Sequence, residues 1–204
     1  MNYKTYLQMK GLIFFIPFML TSCSMLSPVQ AEPESSYTLN TVPKTGIKKS
    51  RSHRTLLVTM PEILPAYDTV RMAYTTKPYE ISYFANNRWI ATPSQMLLPL
   101  IVQTLQNTHY FHAVINPPVV SRYHYVLNTK ILELQQNFMY KPARLTFVMQ
   151  AQLIKIDTNE LIASKQFSVT EFLTAPTPYA GVRAANKAEA KILTQLSQFV
   201  IQVN

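Results

Sequence analysis

Alternating apolar and polar positions dominate the second half of the chain and predict long strands with one buried face. In "ARLTFVMQAQLIKID", every second residue from Leu145 to Leu153 is apolar. The segments "YHYVLNTKILELQ" and "LIASKQFSVTEF" alternate as well, and the polar stretch 157–160 is typical of a turn. Successive alternating segments joined by short turns indicate antiparallel strands with a core on one side.

Shorter strands are expected in the first half. "TLLVTM", which begins at Thr55, has the pattern of a buried strand. The two prolines of "MPEILPAYDTV" predict a loop, and the pair Asn86-Asn87 predicts a tight turn before a strand resumes at 88–90. Further strands are expected at 37–39, 71–74, 80–85 and 112–115.

Two helices are predicted by apolar residues spaced three or four apart. The first has Thr92 as its N-cap and Pro93 at its first position. Its core-facing stripe consists of Leu97, Leu100, Ile101 and Leu105. Pro99 removes one backbone donor, so we expect it to kink the first turns or to delay the regular helix. The second helix is expected from about Val182, with a stripe formed by Val182, Ala185, Ala188, Ile192, Leu196, Phe199 and Val203.

The order of these elements indicates one α+β domain. Runs of adjacent antiparallel strands with separate helices favour a two-layer sandwich. We therefore expect a mainly antiparallel sheet with two main helices packed on one face, formed by residues 55–204. The chain has 204 residues, of which 48% are hydrophobic, and this is enough for one domain with a substantial core.

The N-terminus has the pattern of a secretory signal peptide, predicted to span residues 1–22. Lys4 and Lys10 precede an apolar run, "GLIFFIPFML", that is too short to cross a bilayer as a helix. "LTSC" then resembles the bacterial lipobox, and Cys23 is the only cysteine of the chain. The lipobox implies cleavage before Cys23 and acylation of this residue. The alternative is a soluble exported protein with an incidental thiol.

The residue after Cys23 bears on the expected membrane. By resemblance to enterobacterial sorting rules, Ser24 in place of aspartate favours the outer membrane of a Gram-negative bacterium, facing the periplasm, over the inner membrane. The acyl chains expected on Cys23 exceed the two signals that stable anchoring requires.

Residues 23–54 are interpreted as a lipidated N-terminus with a flexible basic tether. The chain carries a formal net charge of +9, and the tether is rich in Ser, Pro and Thr. Five basic residues could contact anionic head groups, at about 1 kcal/mol for each charge near the surface: Lys44, Lys48, Lys49, Arg51 and Arg54. The alternative is a solvated linker. Nucleic acid is not an expected partner, because an exported, lipid-anchored protein meets little of it.

Several classes of chemistry are excluded by composition. Beyond the signal peptide the chain has only Gly46 and Gly181, so it lacks the clustered glycines of nucleotide-binding loops. A single cysteine excludes cysteine metal sites. His109 and His112 are three residues apart without a carboxylate nearby, which favours surface histidines over metal ligands. No catalytic residue, cofactor or metal is therefore expected, and a periplasmic hydrolase is the disfavoured alternative.

Aromatic residues are concentrated in the region 67–125. Aromatic and arginine side chains are favoured anchors at interfaces. We therefore expect Tyr79, Tyr83, Arg88 and Trp89 to contact a partner or neighbouring subunits. The alternative is structural, with Trp89 in the core between helix and sheet and Arg88 capping a strand edge.

A sequence pattern runs through residues 58–114. Its positions are Leu64, Tyr67, Arg71, Met72, Tyr74, Ile81, Tyr83, Phe84, Arg88, Trp89, Pro93, Met96, Leu97, Leu105, Phe111 and Val114. The pattern resembles that of the ABC-type transport auxiliary lipoprotein family, and the resemblance extends over residues 56–204. The departures are Phe84, where a second tyrosine is common, and Pro99 inside the helix.

The resemblance implies a non-enzymatic accessory of transport systems that contain an MCE-domain protein. Such systems move phospholipids or other hydrophobic molecules between two membranes, and the permease and ATPase would be separate chains. Some relatives form rings, so the resemblance also allows a homo-oligomeric ring. The alternative is a structural lipoprotein that stabilises an outer-membrane or secretion assembly without handling lipid.

Overall fold

The computed structural model describes residues 33–44, 50–118 and 121–203, and its larger compact unit begins at Glu34. Within these residues two helices, α1 (Pro93–Gln106) and α2 (Pro178–Gln202), pack against an open sheet of nine strands. The predicted α+β fold with a mainly antiparallel sheet is confirmed. The strands are β1 (Ser35–Tyr37), β2 (Thr55–Val58), β3 (Glu62–Ile63), β4 (Arg71–Thr75), β5 (Ser82–Trp89), β6 (Ala113–Ile115), β7 (Tyr125–Asn137), β8 (Arg144–Lys155) and β9 (Glu160–Phe172).

Strand β7 organises the sheet. Along one edge it pairs with β8 in antiparallel register, and β8 pairs in the same way with β9. Its other edge is shared by three short parallel partners: β2 at its start, β3 near its middle and β4 at its end. β6 extends the sheet beyond β2, whereas β5 and β1 extend it beyond β4. The 13 residues of β7 therefore connect two distinct ends of the domain, about 40 Å apart.

The alternating segments bury the face that their sequence predicts. All five apolar residues at every second position from Leu145 to Leu153 are buried, as are Phe167 and Val169 of β9. The four residues of the α1 stripe are buried too, and so is the α2 stripe from Val182 to Phe199. One continuous core therefore lies between the sheet and the two helices.

Helix α1 begins where the sequence predicts. The backbone N–H of Thr92 donates to the Gln95 side chain at 3.1 Å, which satisfies one donor at the helix start. The expected delay of the regular helix by Pro99 is wrong, because α1 runs without interruption from Pro93 through Pro99. Pro99 lies on the exposed side of the helix, where water can reach the carbonyl that its missing N–H leaves without a partner.

Helix α2 begins four residues before the predicted start. Thr177 caps it by accepting a hydrogen bond from the N–H of Ala180 at 3.2 Å, and Pro178 occupies the first position. The first turn packs closely on the end of β7. A Cβ atom at Gly181 would lie 2.0 Å from the buried Gln136 side chain, so only glycine fits there without moving Gln136.

The predicted turn at Asn86-Asn87 is wrong. These residues lie inside the continuous strand β5, whose pairing with β4 shifts register between Arg71 and Ala73. Parallel pairing with β1 holds this part of β5, and the Tyr37 hydroxyl donates to the Asn87 side chain at 3.2 Å. Tertiary pairing therefore overrides the turn preference of the asparagine pair. The two-residue strand β3 falls in the segment expected to be a loop.

Residues 34–44 belong to the folded domain, although the sequence assigned them to the tether. After β1 the chain packs along α2, where the side chain of Asn186 binds it on both sides of Leu39. The Asn186 Oδ1 atom accepts from the Asn40 N–H at 3.0 Å and from the Thr41 hydroxyl at 3.1 Å. Its Nδ2 atom donates to the Thr38 carbonyl at 3.1 Å. We call residues 38–44 the strap.

A carboxyl group is buried beneath the strap. Glu189 of α2 is inaccessible to solvent, and its Oε2 atom accepts from the Thr41 N–H at 3.4 Å. Its Oε1 atom has no hydrogen-bond partner among the described residues. Burial raises the pKa of Glu189 to about 8, and the bond from Thr41 opposes this shift only in part. The group is therefore mainly protonated at neutral pH, which avoids a buried charge beneath the strap.

Candidate functional site

Exposed apolar side chains are concentrated at the end of the sheet where β7 terminates. In the described part of the chain, eleven large hydrophobic residues are exposed, and six of them lie in or directly beside the β4–β5, β7–β8 and β9–α2 connections at this end. We call this surface the aromatic end. Its members are Tyr79, Ile81, Met139, Tyr140, Phe172 and Tyr179. Exposed apolar residues that gather at one end of a domain can mark an interaction surface, whereas scattered single residues do not.

The three connections are tied together by backbone hydrogen bonds. The loop between β7 and β8 bonds to the hairpin of β4 and β5, because the Phe138 N–H donates to the Thr75 carbonyl at 2.9 Å. It also bonds to the segment after β9, where the Leu173 N–H donates to the Ala143 carbonyl at 2.8 Å. The apolar side chains therefore stand on a connected framework.

Aromatic contacts support this framework from within. The rings of Tyr74 and Phe84 are 4.5 Å apart between centroids, and Phe138 meets both of them edge-on at 5.9 and 6.2 Å. The guanidinium of Arg144 lies 3.4 Å from the centroid of the Tyr140 ring and holds this exposed side chain in place. Packing of this kind fixes the loops that carry the exposed residues.

Tyr79 is the most exposed member of the aromatic end. It lies at the tip of the hairpin between β4 and β5 and is fully exposed, with a φ angle of 65°. A bulky residue in the left-handed region costs on the order of 1 kcal/mol. The segment before Tyr79 is held by the Thr75 hydroxyl, which donates to the Lys77 carbonyl, and an ion pair between Lys77 and Glu80 spans Tyr79. The fold thus holds a large apolar side chain out in solvent.

The opposite end of the sheet has a different surface. Six exposed basic or imidazole side chains lie near the starts of β2 and β7: Arg51, His53, Arg54, His112, Arg122 and His124. We call this surface the basic end. Backbone bonds join its segments, since the His112 N–H donates to the Arg54 carbonyl and the His124 N–H to the Thr55 carbonyl. Asp157 lies in the neighbouring turn, where it pairs with Lys155 at 3.3 Å, and Glu160 begins β9. Ile156 and Leu161 are also exposed here.

The four residues predicted to form a partner contact are not brought together. Tyr79 lies at the aromatic end, but Trp89 is only 4% exposed and belongs to the core, in agreement with the structural alternative. Tyr83 is half-buried beneath Arg71 and donates its hydroxyl to the Ala66 carbonyl at 2.8 Å. Arg88 is exposed and pairs at 3.0 Å with Glu34, the first residue of the folded unit.

The predicted basic tether is divided by the structure. Arg51 and Arg54 belong to the basic end, and Arg54 lies over the Tyr125 ring at 5.4 Å. Lys44 is exposed at the end of the strap. The predictions for Cys23, Lys48 and Lys49 concern positions outside the described residues. Contact between the basic residues and head groups stays a prediction.

Sequence reasoning missed five members of the aromatic end: Ile81, Met139, Tyr140, Phe172 and Tyr179. A usable signal was present in the loops "KPYEI", "FMYKPA" and "FLTAPTPY". Each places large apolar residues beside a proline, in a connection where polar residues are usual. Apolar residues that fall outside any helical or strand period have no predicted place in the core, which makes them candidates for an exposed surface.

Two properties of the described part of the chain concern membrane crossing and metal binding. None of its helices combines the length and the hydrophobicity needed to cross a bilayer. None of its His, Asp and Glu side chains gather in a group of three that could hold a metal ion.

Solved structures share the fold. The protein XCC0632 of the DUF330 family from Xanthomonas campestris superposes with a TM-score of 0.77 at 18% identity, over 83% of this chain and 95% of that one. A second, uncharacterized protein superposes with a TM-score of 0.64 at 17% identity, over 84% of this chain and 98% of that one. At these identities the likeness establishes the fold alone. No curated protein sequence matches the chain.

A family model also matches the sequence. The model of the ABC-type transport auxiliary lipoprotein component matches residues 37–197. The match begins in β1, ends in α2 and includes the loops of both the aromatic and the basic end. It confirms the resemblance that the pattern in residues 58–114 indicated.

Proposed function

The chain belongs to the ABC-type transport auxiliary lipoprotein component family, and from this premise we propose that it is a non-enzymatic accessory of an intermembrane transport system. In this proposal Cys23 is acylated and anchors the domain to the outer membrane, facing the periplasm. The transported substrate is a lipid or another hydrophobic molecule. The observation that carries the proposal is the family match over residues 37–197 in a chain whose signal-like N-terminus ends in "LTSC".

The proposed partner is an MCE-domain protein, with the permease and the ATPase as separate chains. This division of labour agrees with the glycine content of the sequence, since Gly46 and Gly181 are too far apart to build a nucleotide-binding loop. The energy for transport would therefore come from another subunit. The lipoprotein would supply attachment to the outer membrane and a docking surface.

Co-purification tests this function. The full acylated chain, tagged at its C-terminus and extracted in mild detergent from its own host, should bring down an MCE-domain chain together with a permease and an ATPase. The tagged Cys23→Ser variant is the matched control, because it keeps the domain but removes the proposed anchor. Extracts that never contain an MCE-domain chain would contradict the proposal. Recovery of an outer-membrane or secretion assembly in its place would favour the structural alternative.

A further inference from the structure

We propose that the aromatic end is a membrane-docking surface that seats the domain on the phospholipid leaflet holding its own anchor. The inference rests on the proposed acylation of Cys23 and adds a second, non-covalent contact with the lipid. It also gives the domain an orientation, with the aromatic end toward the membrane and the basic end away from it.

The composition of the aromatic end suits the interfacial region of a bilayer. Its six exposed members combine tyrosine and phenylalanine with isoleucine and methionine. Tyr and Trp rings are enriched where hydrocarbon meets head groups, because one end of the ring is apolar and the other polar. Lys141 lies in one of the same loops and is exposed, whereas the exposed Lys77 pairs with Glu80. Lysines at such a rim are attracted to anionic head groups.

The folded chain is directed toward this same end when it is followed back to Glu34. β1 runs parallel to β5, which is antiparallel to β4, and β4 is parallel to β7. β1 therefore runs in the direction opposite to β7. It pairs with the last three residues of β5, beside the start of β4, so the chain before Ser35 is directed toward the aromatic end. Followed toward its C-terminus, the chain passes the first turn of α2 at Tyr37, whose ring is 6.0 Å from that of Tyr179.

The strap continues this path toward the middle of α2. Asn40 and Thr41 reach Asn186, two turns beyond Tyr179. Traced backwards, the chain thus leads from the middle of α2 past its first turn to Glu34. At Glu34, its first residue, the folded unit is thus directed toward the aromatic end.

The length of the remaining segment limits the distance to the anchor. Residues 24–33 separate Cys23 from Glu34, and a fully extended chain of this length spans at most about 40 Å. Because the folded chain is directed toward the aromatic end at Glu34, seating that end on the membrane requires less of this reach than seating the basic end. A short tether also creates a high effective concentration of lipid, so weak contacts of a few side chains suffice.

Depth-dependent quenching tests the proposal on the full acylated chain. Acylation consumes the Cys23 thiol, so a cysteine introduced elsewhere is the only free thiol. A polarity-sensitive fluorophore is placed by Tyr79→Cys or by Phe172→Cys at the aromatic end, and by Thr158→Cys at the opposite end as the matched control. All three positions are exposed, so the fold should tolerate the label, and circular dichroism verifies this. Each protein is incorporated as a single copy into nanodiscs of phosphatidylethanolamine and phosphatidylglycerol with brominated acyl chains.

The expected result is quenching severalfold stronger at positions 79 and 172 than at 158. Single-copy discs contain neither a second copy nor a protein partner, so lipid alone accounts for the quenching. Equal quenching at both ends, stronger quenching at 158, or no quenching anywhere would overturn the docking surface while leaving the anchor intact. A chain that mass spectrometry finds unacylated would instead overturn the proposed anchoring, and the docking proposal with it.

Discussion

The two ends of β7 carry different surfaces on the same scaffold. The aromatic end has exposed rings and aliphatic side chains on loops that hydrogen bonds and ring contacts fix from within. The basic end has exposed arginines and histidines near Asp157 and Glu160, and it also exposes Ile156 and Leu161. The aromatic end, with six exposed apolar side chains, is therefore the better suited of the two to apolar burial. Because about 40 Å of sheet separates them, a membrane seated on one end of the strands does not reach the other end.

This difference separates two ways of holding the domain at a membrane. Electrostatic attraction would use the basic end, would weaken with salt, and would act within a Debye length of about 8 Å at physiological ionic strength. Apolar insertion would use the aromatic end and would respond little to salt. We expect the largest effect from loss of the anchor and the smallest from charge changes at the two ends, and these charge changes distinguish electrostatic attraction from apolar insertion.

Removing the proposed anchor should have the largest effect. We expect Cys23→Ser to move nearly all of the protein from the membrane fraction to the soluble fraction, because one or two surface contacts without acyl chains bind reversibly. The fold should not change, which thermal unfolding checks. Cell fractionation with a radioactive fatty-acid label is the measurement. Membrane association that persists without any acyl label would refute acylation as the anchor.

The pH dependence of stability should report on the strap, which directs the chain toward the aromatic end. The pKa of Glu189 is raised in the folded state from 4.5 to about 8, so its stabilising contribution is complete below pH 4.5 and is lost as pH rises to 8. The loss is at most about 5 kcal/mol in the free energy of unfolding. The Glu189→Gln side chain has the same shape but does not ionise, so this change should remove this part of the pH dependence.

Urea unfolding of both proteins at pH 5 and pH 8.5 measures this difference. The two proteins should unfold at similar urea concentrations at pH 5, and the variant should be the more stable one at pH 8.5. A parallel pH dependence in both proteins would show that Glu189 titrates normally and that the strap does not cover a neutral carboxyl.

Charge changes at the two ends should have unequal effects on vesicle binding. In the soluble Cys23→Ser background, the double change Tyr79→Glu and Tyr140→Glu should lower partitioning into phosphatidylglycerol-containing vesicles about tenfold, since it removes apolar area and adds repulsion. The matched change, Arg51→Glu and Arg54→Glu, should alter it less than about twofold. Flotation assays at low and high salt measure both, and a larger loss from the arginine changes would assign the contact to the basic end.

The local sequence pattern was sufficient to predict the long strands and the helices. Burial of one face imposes a period of two, and this period is visible in β8, whose apolar positions from Leu145 to Leu153 are all buried. The capping residues Thr92 and Pro93 likewise marked the start of α1. These signals are local, so no knowledge of distant partners is needed to interpret them.

Features that depend on distant partners could not be predicted in this way. The pair Asn86-Asn87 has a local turn preference, but pairing with β1, some fifty residues earlier, holds it in a strand. The strap is bound by Asn186, whose bonds to Asn40 and Thr41 span about 145 positions. For the same reason the aromatic end becomes visible only after three separate loops are brought to one end of the sheet.

Hydrogen exchange of the acylated chain in nanodiscs compares both ends in one measurement. Relative to the Cys23→Ser protein in buffer, we predict slower exchange in the loops 76–81 and 138–143 and unchanged exchange in 51–54 and 156–159. Unequal protection in this direction would place the aromatic end on the lipid. Protection of 51–54 and 156–159 with no change at the aromatic end would contradict the proposed orientation.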